Sequence, residues 1–196
     1  TGINGFVGTD FTEKWKEYHI LYGLDITQNP KDGMIAIYNW EQLTEIPETD
    51  AIVHLAGKAQ DTKNESEAAE YFAVNTGLTQ KIFDYFLETS AQKFIFFSSV
   101  KAAAESVPGE YLTEDAAPAP KGPYGESKIK AEEYLLSKLS QAEKLQKKVY
   151  IVRPCMIHGP GNKGNLNLLY QVVSKGIPWP LGAFDNRRSF CSIDNI

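Results

Sequence analysis

The sequence predicts an α/β protein built on a doubly wound parallel sheet. Two observations carry this prediction: short apolar runs alternate with longer helical stretches, and those runs are apolar throughout rather than at every second residue. Continuous apolarity indicates burial on both faces, which is typical of strands in a parallel sheet. The alternation of strands and helices indicates βαβ units, with helices covering the sheet.

The elements follow in chain order. Strands rich in β-branched and aromatic residues are predicted at 19–25, 34–38, 51–57, 93–99 and 148–154. Helices are predicted at 9–17, 66–90, 124–146 and 165–175, and in the third of these Lys128, Ala131, Leu135 and Leu139 fall on one face. Segment 102–123, rich in proline, glycine and acidic residues, is predicted to be a long loop after a strand, where α/β proteins hold ligands.

Composition limits the classes of function. A chain of 196 residues that is 42% hydrophobic can bury one core with a smaller appendage. Two cysteines, Cys155 and Cys191, argue against a disulfide framework and favour a reducing compartment, so we expect a cytoplasmic protein. A net charge of −5, no apolar run long enough to span a bilayer and no metal-ligand spacing lead us to expect no nucleic acid, membrane or metal partner.

The chain opens with "TGINGFVG", in which Gly2, Gly5 and Gly8 stand three apart. This pattern differs from the G-x-G-x-x-G dinucleotide fingerprint and lacks the Gly-Lys-Ser/Thr end of a P-loop. Glycines nevertheless let a backbone approach a pyrophosphate, and a helix that begins near Gly8 would point free N–H groups at it. An ordinary tight turn is the alternative.

A carboxylate completes the cofactor pattern. Asp25 closes an apolar run roughly 20 residues beyond the turn, where an acid would bind the adenosine ribose hydroxyls. Because a carboxylate repels a 2′-phosphate, this position favours NAD over NADP. A simple strand-end turn acid is the alternative reading of Asp25.

The strongest chemical pattern is a serine-ended strand followed by "YGESK". Tyr124 and Lys128 are four apart at the start of a helix and share a face. A free tyrosine is a poor base at neutral pH, and we expect the neighbouring ammonium to lower the pKa of Tyr124. Ser99 could hydrogen-bond a substrate hydroxyl. A chance Y-x-x-x-K on a surface helix is the alternative, which the glycine turn and Asp25 make less favourable.

These motifs resemble the extended short-chain dehydrogenase/reductases, in the NAD-dependent epimerase/dehydratase group that acts on nucleotide sugars. The resemblance rests on "TGINGFVG" (1–8), Asp25, "HLAG" (54–57), "VN" (74–75), "FSS" (97–99), "YGESK" (124–128), "RP" (153–154), "HGPG" (158–161) and "RRSFCSIDNI" (187–196). It implies a Rossmann-like NAD-binding domain at 1–154 and the beginning of a smaller substrate-binding lobe at 155–196. It also implies a first strand before Thr1 and a lobe that continues past Ile196.

The resemblance assigns roles to individual residues. It implies catalysis by Ser99, Tyr124 and Lys128. It implies NAD binding by Gly2, Gly5, Phe6, Val7, Gly8, Asp25, Ile26, Leu55, Ala56, Gly57, Asn75, Tyr124 and Lys128. It implies substrate contacts by Ser99, Lys101, Asn165, Leu166 and Arg188, in which Arg188 grips the nucleotide pyrophosphate. For Lys101, a place near the sugar and a place facing solvent both stay open.

Departures from the family pattern narrow the reaction. The family commonly has Val-Tyr-Gly after the catalytic serine, where this chain has Ala102 and Ala103. Its 4,6-dehydratases follow the catalytic Ser/Thr with an Asp-Glu pair, and here those positions hold Val100 and Lys101. Neither side chain suits elimination, because valine transfers no proton and an ammonium is a poor base. Hydride chemistry alone is therefore expected.

The expected function is NAD-dependent 4-epimerisation of a nucleotide sugar, most simply a UDP-sugar, through a 4-keto intermediate, in polysaccharide biosynthesis. Two alternatives stay open: an NAD(P)H-dependent 4-keto nucleotide-sugar reductase, and a non-catalytic NAD-binding regulatory member. The intact set of Ser99, Tyr124 and Lys128 favours an enzyme, since a sensor has no need of it. A homodimer is a possible assembly.

Overall fold

The computed structural model describes residues 1–59, 67–107, 109–162, 165–178 and 187–196. The chain forms two compact units, Thr1–Pro154 and Cys155–Ile196. Residues 66 and 108, which fall in the predicted helix 66–90 and the predicted loop 102–123, lie outside the described residues.

The first unit is organised around parallel strands. They are β1 (Leu21–Leu24), β2 (Met34–Tyr38), β3 (Ala51–His54), β4 (Lys93–Phe97) and β5 (Lys148–Val152). β1 pairs with β2, and β4 lies between β3 and β5, with every one of these pairs parallel. The α/β class with a parallel sheet is therefore confirmed, and each strand lies within the segment predicted for it.

The first residues of the chain join the two ladders. The Gly2 N–H donates to the Leu24 carbonyl at 2.9 Å. The Thr1 nitrogen donates to the Val53 carbonyl at 2.7 Å, and the Thr1 hydroxyl lies 2.7 Å from His54 Nδ1. The turn that follows is thereby anchored to the carboxyl ends of both β1 and β3. A strand before Thr1 stays a prediction.

Helices alternate with these strands. In this unit they are α1 (Phe6–Trp15), α2 (Ala68–Tyr71), a π-helical segment (Phe72–Leu78), α3 (Thr79–Glu88), α4 (Val100–Ala103), α5 (Gly122–Ser137) and α6 (Leu139–Lys144). The predicted helix 66–90 contains the π-helical segment, and the predicted helix 124–146 is divided at Lys138. The loop prediction for 102–123 is wrong at both ends, because α4 continues to Ala103 and α5 begins at Gly122. The described residues from Ala104 to Lys121 contain no helix.

Aromatic side chains form the core between α3 and the sheet. Phe83 and Phe86 are fully buried on α3, at a spacing that places both on its inner face. They pack on Phe94 of β4, with ring centroids 5.0 Å and 5.3 Å away. Burying each such side chain stabilises the fold by about 1.5–3 kcal/mol, so this cluster fixes the sheet on which the candidate site is built.

The second unit is smaller. β6 (Met156–His158) pairs in parallel with β7 (Phe190–Ser192), and α7 (Asn165–Ser174) lies between them in sequence. Both cysteines of the chain are in this unit and are free thiols. Within the described ranges of the whole chain, no helix combines the length and apolarity needed to cross a membrane.

We predict that Gly8→Ala destabilises the fold by about 1–3 kcal/mol through overpacking. A Cβ at Gly8 would lie 2.2 Å from the Gly2 carbonyl oxygen and 2.7 Å from Ile3 Cα, and both are backbone atoms that cannot rotate away. Denaturant unfolding of the full-length protein measures the change.

Gly77→Ala is the matched control for this substitution. Gly77 is also helical, but the nearest atom to an added Cβ is 3.8 Å away. We expect this variant to be neutral or stabilised by up to about 1 kcal/mol. Equal losses in both variants would contradict the packing argument.

Candidate active site

The glycine turn leads directly into α1. Gly2 has a φ of 70°, and a Cβ there would lie 2.6 Å from the backbone of Ala56. Gly5 is the N-cap of α1, where no side chain caps the helix and no acidic residue occupies the first turn. The N–H groups of a first helical turn have no acceptor within the helix. The turn could therefore hold an anionic group such as a pyrophosphate.

A carboxylate and an ammonium flank this turn. Asp25, directly after β1, accepts hydrogen bonds from the N–H groups of Asn4 at 3.0 Å and Ile26 at 2.8 Å. Lys31 donates to the Ile3 carbonyl and, at 3.2 Å, to the Thr9 hydroxyl. Burial lowers the pKa of Lys31, and attraction to Asp25 opposes that effect. Lys31 has no sequence motif, and only the structure brings it to the turn.

Ser99 and Tyr124 meet in the structure. Ser99 follows β4 and caps α4, and its hydroxyl accepts a hydrogen bond from the Lys101 N–H at 3.2 Å. Its side chain also interacts with that of Tyr124, near the start of α5. Burial raises the pKa of Tyr124, the interaction with Ser99 lowers it by less, and proximity to Tyr71 raises it further. The predicted contact between the serine-ended strand and the helix is therefore present.

Lys128 lies one turn beyond Tyr124 and is 5% exposed. Its ammonium donates to the Phe97 carbonyl at 2.9 Å and lies 4.9 Å from the centroid of the Phe96 ring. Burial lowers the pKa of Lys128 to about 8, against an opposing effect of Glu132. The expectation that this ammonium lowers the pKa of Tyr124 is wrong for this structure. Desolvation of the phenol dominates, and the ammonium's hydrogen bond goes to a backbone carbonyl.

Asn75 occupies the π-helical segment and is fully buried. Its amide nitrogen donates to the Ser127 hydroxyl at 3.0 Å and to the Lys58 carbonyl at 3.1 Å, and its oxygen accepts from the Lys58 N–H at 2.8 Å. A Cβ on Gly57 would lie 3.0 Å from both Asn75 Oδ1 and Lys128 Nζ. Segment 55–57, Asn75 and Lys128 therefore lie together, and π-helical turns frequently occur at functional sites.

The remaining predicted substrate residues lie on α4 and in the second unit. The Lys101 ammonium on α4 forms an ion pair with Glu105. Asn165 and Leu166 begin α7, and Arg188 lies just before β7, all in the second unit. Their roles stay predictions.

A buried carboxylate is the feature that the motifs do not reveal. Glu132 of α5 is 1% exposed, and Arg153 and Ser98 hydrogen-bond to it. The available signal was its position four residues after Lys128, on the helix face that also carries the buried Ala131 and Leu135. Among the residues that the structure describes, no group of three or more His, Cys, Asp or Glu side chains could hold a metal ion.

Comparison with known proteins identifies the family. The family model described as the NAD-dependent epimerase/dehydratase family matches residues 1–196. The chain belongs to this family. It is 34% identical over its whole length to the UDP-glucose 4-epimerase of Vibrio cholerae and spans 62% of that relative.

Solved structures with the same fold are more distant in sequence. A UDP-glucuronic acid 4-epimerase from Bacillus cereus, solved as a tyrosine-to-phenylalanine mutant with NAD and a fluorinated UDP-sugar, matches with a TM-score of 0.78 at 18% identity. A dTDP-glucose 4,6-dehydratase from Streptomyces venezuelae, solved with NAD, matches with a TM-score of 0.78 at 19% identity. Each match covers 98% of this chain, and 68% and 67% of the respective relatives. These matches confirm the Rossmann-like architecture that the sequence predicts for this chain.

We predict that Lys128→Met changes the pH dependence of stability. The Lys128 pKa is about 8 in the folded state and near 10.5 when unfolded, so between these values the unfolded state holds more protons. The wild-type free energy of unfolding therefore gains up to about 1.4 kcal/mol per pH unit from this group as pH rises. The variant lacks that gain. Denaturant unfolding of the full-length protein at pH 7 to 10 measures the difference.

Lys130→Met is the matched control, since Lys130 lies on the same helix with its side chain 59% exposed in an ion pair with Glu133. Its stability curve should stay parallel to that of the wild type. Parallel curves for Lys128→Met would show that the Lys128 pKa is not lowered in the folded protein.

Proposed function

We propose that the protein containing this chain is an NAD-dependent nucleotide-sugar 4-epimerase that acts on a UDP-sugar. The observation that carries the proposal is the interaction between the Ser99 and Tyr124 side chains, with the buried Lys128 one helical turn away. The UDP-glucose 4-epimerase that is 34% identical supports the reaction type. Because the chain spans 62% of that relative, the activity is proposed for the whole protein.

The first unit is proposed to bind NAD. The backbone of Gly2, Gly5, Phe6, Val7 and Gly8 would hold the pyrophosphate at the start of α1. Asp25 would accept hydrogen bonds from the adenosine ribose, with Ile26 beside it, and segment 55–57 and Asn75 would line the nicotinamide end together with Tyr124 and Lys128. NAD bound there would accept a hydride from the sugar and return it.

Proton transfer is the work of the chain's own residues. Tyr124 acts as the base that takes the proton of the sugar C4 hydroxyl, and it returns this proton after the 4-keto sugar has rotated in the site. Ser99, whose side chain interacts with that of Tyr124, holds the same oxygen. Since burial raises the pKa of Tyr124, the phenol needs a nearby positive charge to act near neutral pH. The Lys128 ammonium does not lower the Tyr124 pKa in the structure itself, so it would have to supply this charge once NAD and the sugar are bound.

The short helix after Ser99 disfavours elimination. Val100 has no proton to transfer, and Lys101 is engaged with Glu105 in an ion pair. Removal of a C5 proton would need a base at one of these positions. Hydride transfer and return are the chemistry that this chain can support.

Further assignments complete the proposal. Substrate contacts would come from Lys101, Asn165, Leu166 and Arg188, with the Arg188 guanidinium on the diphosphate, whose oxygens it can grip as a fork. The unit Cys155–Ile196 would be the beginning of the substrate-binding lobe. A cytoplasmic location, homodimerisation and a part in polysaccharide biosynthesis belong to the same proposal.

Turnover of nucleotide sugars by the full-length protein tests the reaction. Incubation with UDP-hexoses and UDP-N-acetylhexosamines, followed by NMR, should show inversion at C4. Tyr124→Phe should lower the rate by about 10²–10⁴, the usual worth of a positioned base.

Other products would point elsewhere. A 4-keto-6-deoxy sugar would overturn the argument against elimination. Reduction of a supplied 4-keto sugar without epimerisation would favour the reductase, and dinucleotide binding without turnover of any sugar would favour a regulatory role.

The cofactor preference is tested at Asp25. We expect NAD(H) to bind more tightly than NADP(H), and Asp25→Ala to weaken NAD(H) binding by about tenfold, since a hydrogen bond to a charged group contributes about 1.5–3 kcal/mol. In the same variant, the difference between the affinities for NAD(H) and NADP(H) should become smaller. Fluorescence titration measures both.

Asp32→Ala is the control for this substitution. Asp32 is an exposed acid of the same loop between β1 and β2, and it pairs with Lys16 at 2.6 Å. The Asp32→Ala substitution should leave the affinities for NAD(H) and NADP(H) unchanged. The NAD assignment would be wrong if the wild type bound NADP(H) as tightly as NAD(H) or more tightly.

A further inference from the structure

A buried carboxylate lies behind the proposed catalytic residues. Glu132 is 1% exposed, and a charged group at that depth requires charged or hydrogen-bonding partners. Arg153 supplies a fork, with Nε at 3.0 Å and 3.1 Å from the two carboxylate oxygens and Nη2 at 2.5 Å from Oε2. The Ser98 hydroxyl donates to Oε1. Both carboxylate oxygens are therefore fully engaged.

These partners come from the carboxyl ends of two strands. Ser98 directly follows β4, and Arg153 directly follows β5. The backbone already joins the strand ends, through Ser98 N–H to the Val152 carbonyl at 2.8 Å and Val100 N–H to the Pro154 carbonyl at 3.1 Å. Glu132 adds α5 to this junction, so that one carboxylate connects a helix to both strand ends.

The contacts follow a register along β4. The Phe97 carbonyl accepts from Lys128, and the next residue, Ser98, donates to Glu132. Ser99, the third residue in succession, interacts with the Tyr124 side chain. Three consecutive residues at the end of β4 therefore each contact α5, and the Glu132 contact lies between the two that involve proposed catalytic groups.

We propose that Glu132 is a positioning residue for catalysis. Held by Arg153 and Ser98, it fixes the register of α5 against the end of β4 and provides the buried negative charge that faces the Lys128 ammonium. This inference rests on the proposed function, because it assumes that Tyr124 and Lys128 carry out the chemistry.

The groups around Lys128 show that Glu132 in particular provides the negative charge near its ammonium. The titratable groups on the same face of α5 are Tyr124, one helical turn away, and Glu132, whose charge acts on the ammonium. From β3 the buried His54 also interacts with the ammonium, and its pKa is lowered by burial, then by the N-terminal ammonium and then by Lys128. The π-helical segment presents the Asn75 amide, and β4 presents the Phe97 carbonyl. Of these groups, Glu132 is the one whose negative charge raises the Lys128 pKa at neutral pH.

The test compares Glu132→Gln with Glu133→Gln in the full-length protein loaded with NAD. Glu133 is the adjacent residue, with its side chain 53% exposed in an ion pair with Lys130. We expect Glu132→Gln to lower kcat by about 10–100-fold, as is usual for supporting partners of a site, with KM nearly unchanged. The alkaline limb of its pH–rate profile should move down by at least about one pH unit. Glu133→Gln should change neither quantity.

A second measurement is independent of turnover. In Glu132→Gln, the rise in unfolding free energy that comes from Lys128 should begin at least about one pH unit lower than in the wild type. If the wild type turns over no nucleotide sugar, the proposed function fails, while this shift still reports on the carboxylate and Lys128. The inference would be overturned if Glu132→Gln kept the alkaline limb of the wild type and a kcat within about twofold of the wild-type value.

Glu132→Asp and Ser98→Ala cover the case in which Glu132→Gln does not fold. Glu132→Asp keeps the charge but shortens the reach, so kcat should fall with the alkaline limb within about 0.3 pH units of the wild type. Ser98→Ala removes a neutral partner and should behave in the same way. A shifted limb in Ser98→Ala, or unchanged kcat in both variants, would overturn the inference.

Discussion

The close approach of α5 to the end of β4 and to α4, which follows it, is the constraint on which the candidate site depends. At the start of the helix, a Cβ on Gly125 would lie 2.5 Å from the Lys101 carbonyl oxygen, so the approach requires glycine at this position. Once the backbones are this near, Tyr124 can reach Ser99, and Lys128 can reach the Phe97 carbonyl. A larger residue at 125 would separate the groups that the proposed chemistry needs together.

This approach also explains why charged side chains lie in the interior. Lys128 and Glu132 are both at most 5% exposed, and burial of a charge costs stability unless partners replace the lost water. Lys128 bonds to a backbone carbonyl, and Glu132 bonds to Arg153 and Ser98. Among the described residues, no buried side-chain nitrogen or oxygen lacks a hydrogen-bond partner. The interior charges are thus held at defined positions, which suits groups that must meet a substrate in fixed geometry.

The proposed cofactor end of the first unit depends on backbone contacts rather than on side chains. Gly2 and Gly8 let the turn close on itself and on Ala56, and the π-helical segment turns Asn75 toward Ser127 and Lys58. Both features bring main-chain atoms close to the space that a ligand would use. Side chains at these glycines would fill that space or displace the turn.

The sequence by itself determined the class of the fold, the approximate places of its strands and the motifs of its family. Continuous apolar runs identify strands buried on both faces, and the four-residue spacing places Tyr124 and Lys128 on one helix face, because both signals are local. Only the tertiary structure decided the Ser99–Tyr124 contact, the direction of the Tyr124 pKa, the π-helical segment and the partners of Glu132. Those depend on residues roughly 20 to 35 positions apart meeting across packed elements, and on how far packing removes water from them, which the local pattern along the chain does not encode.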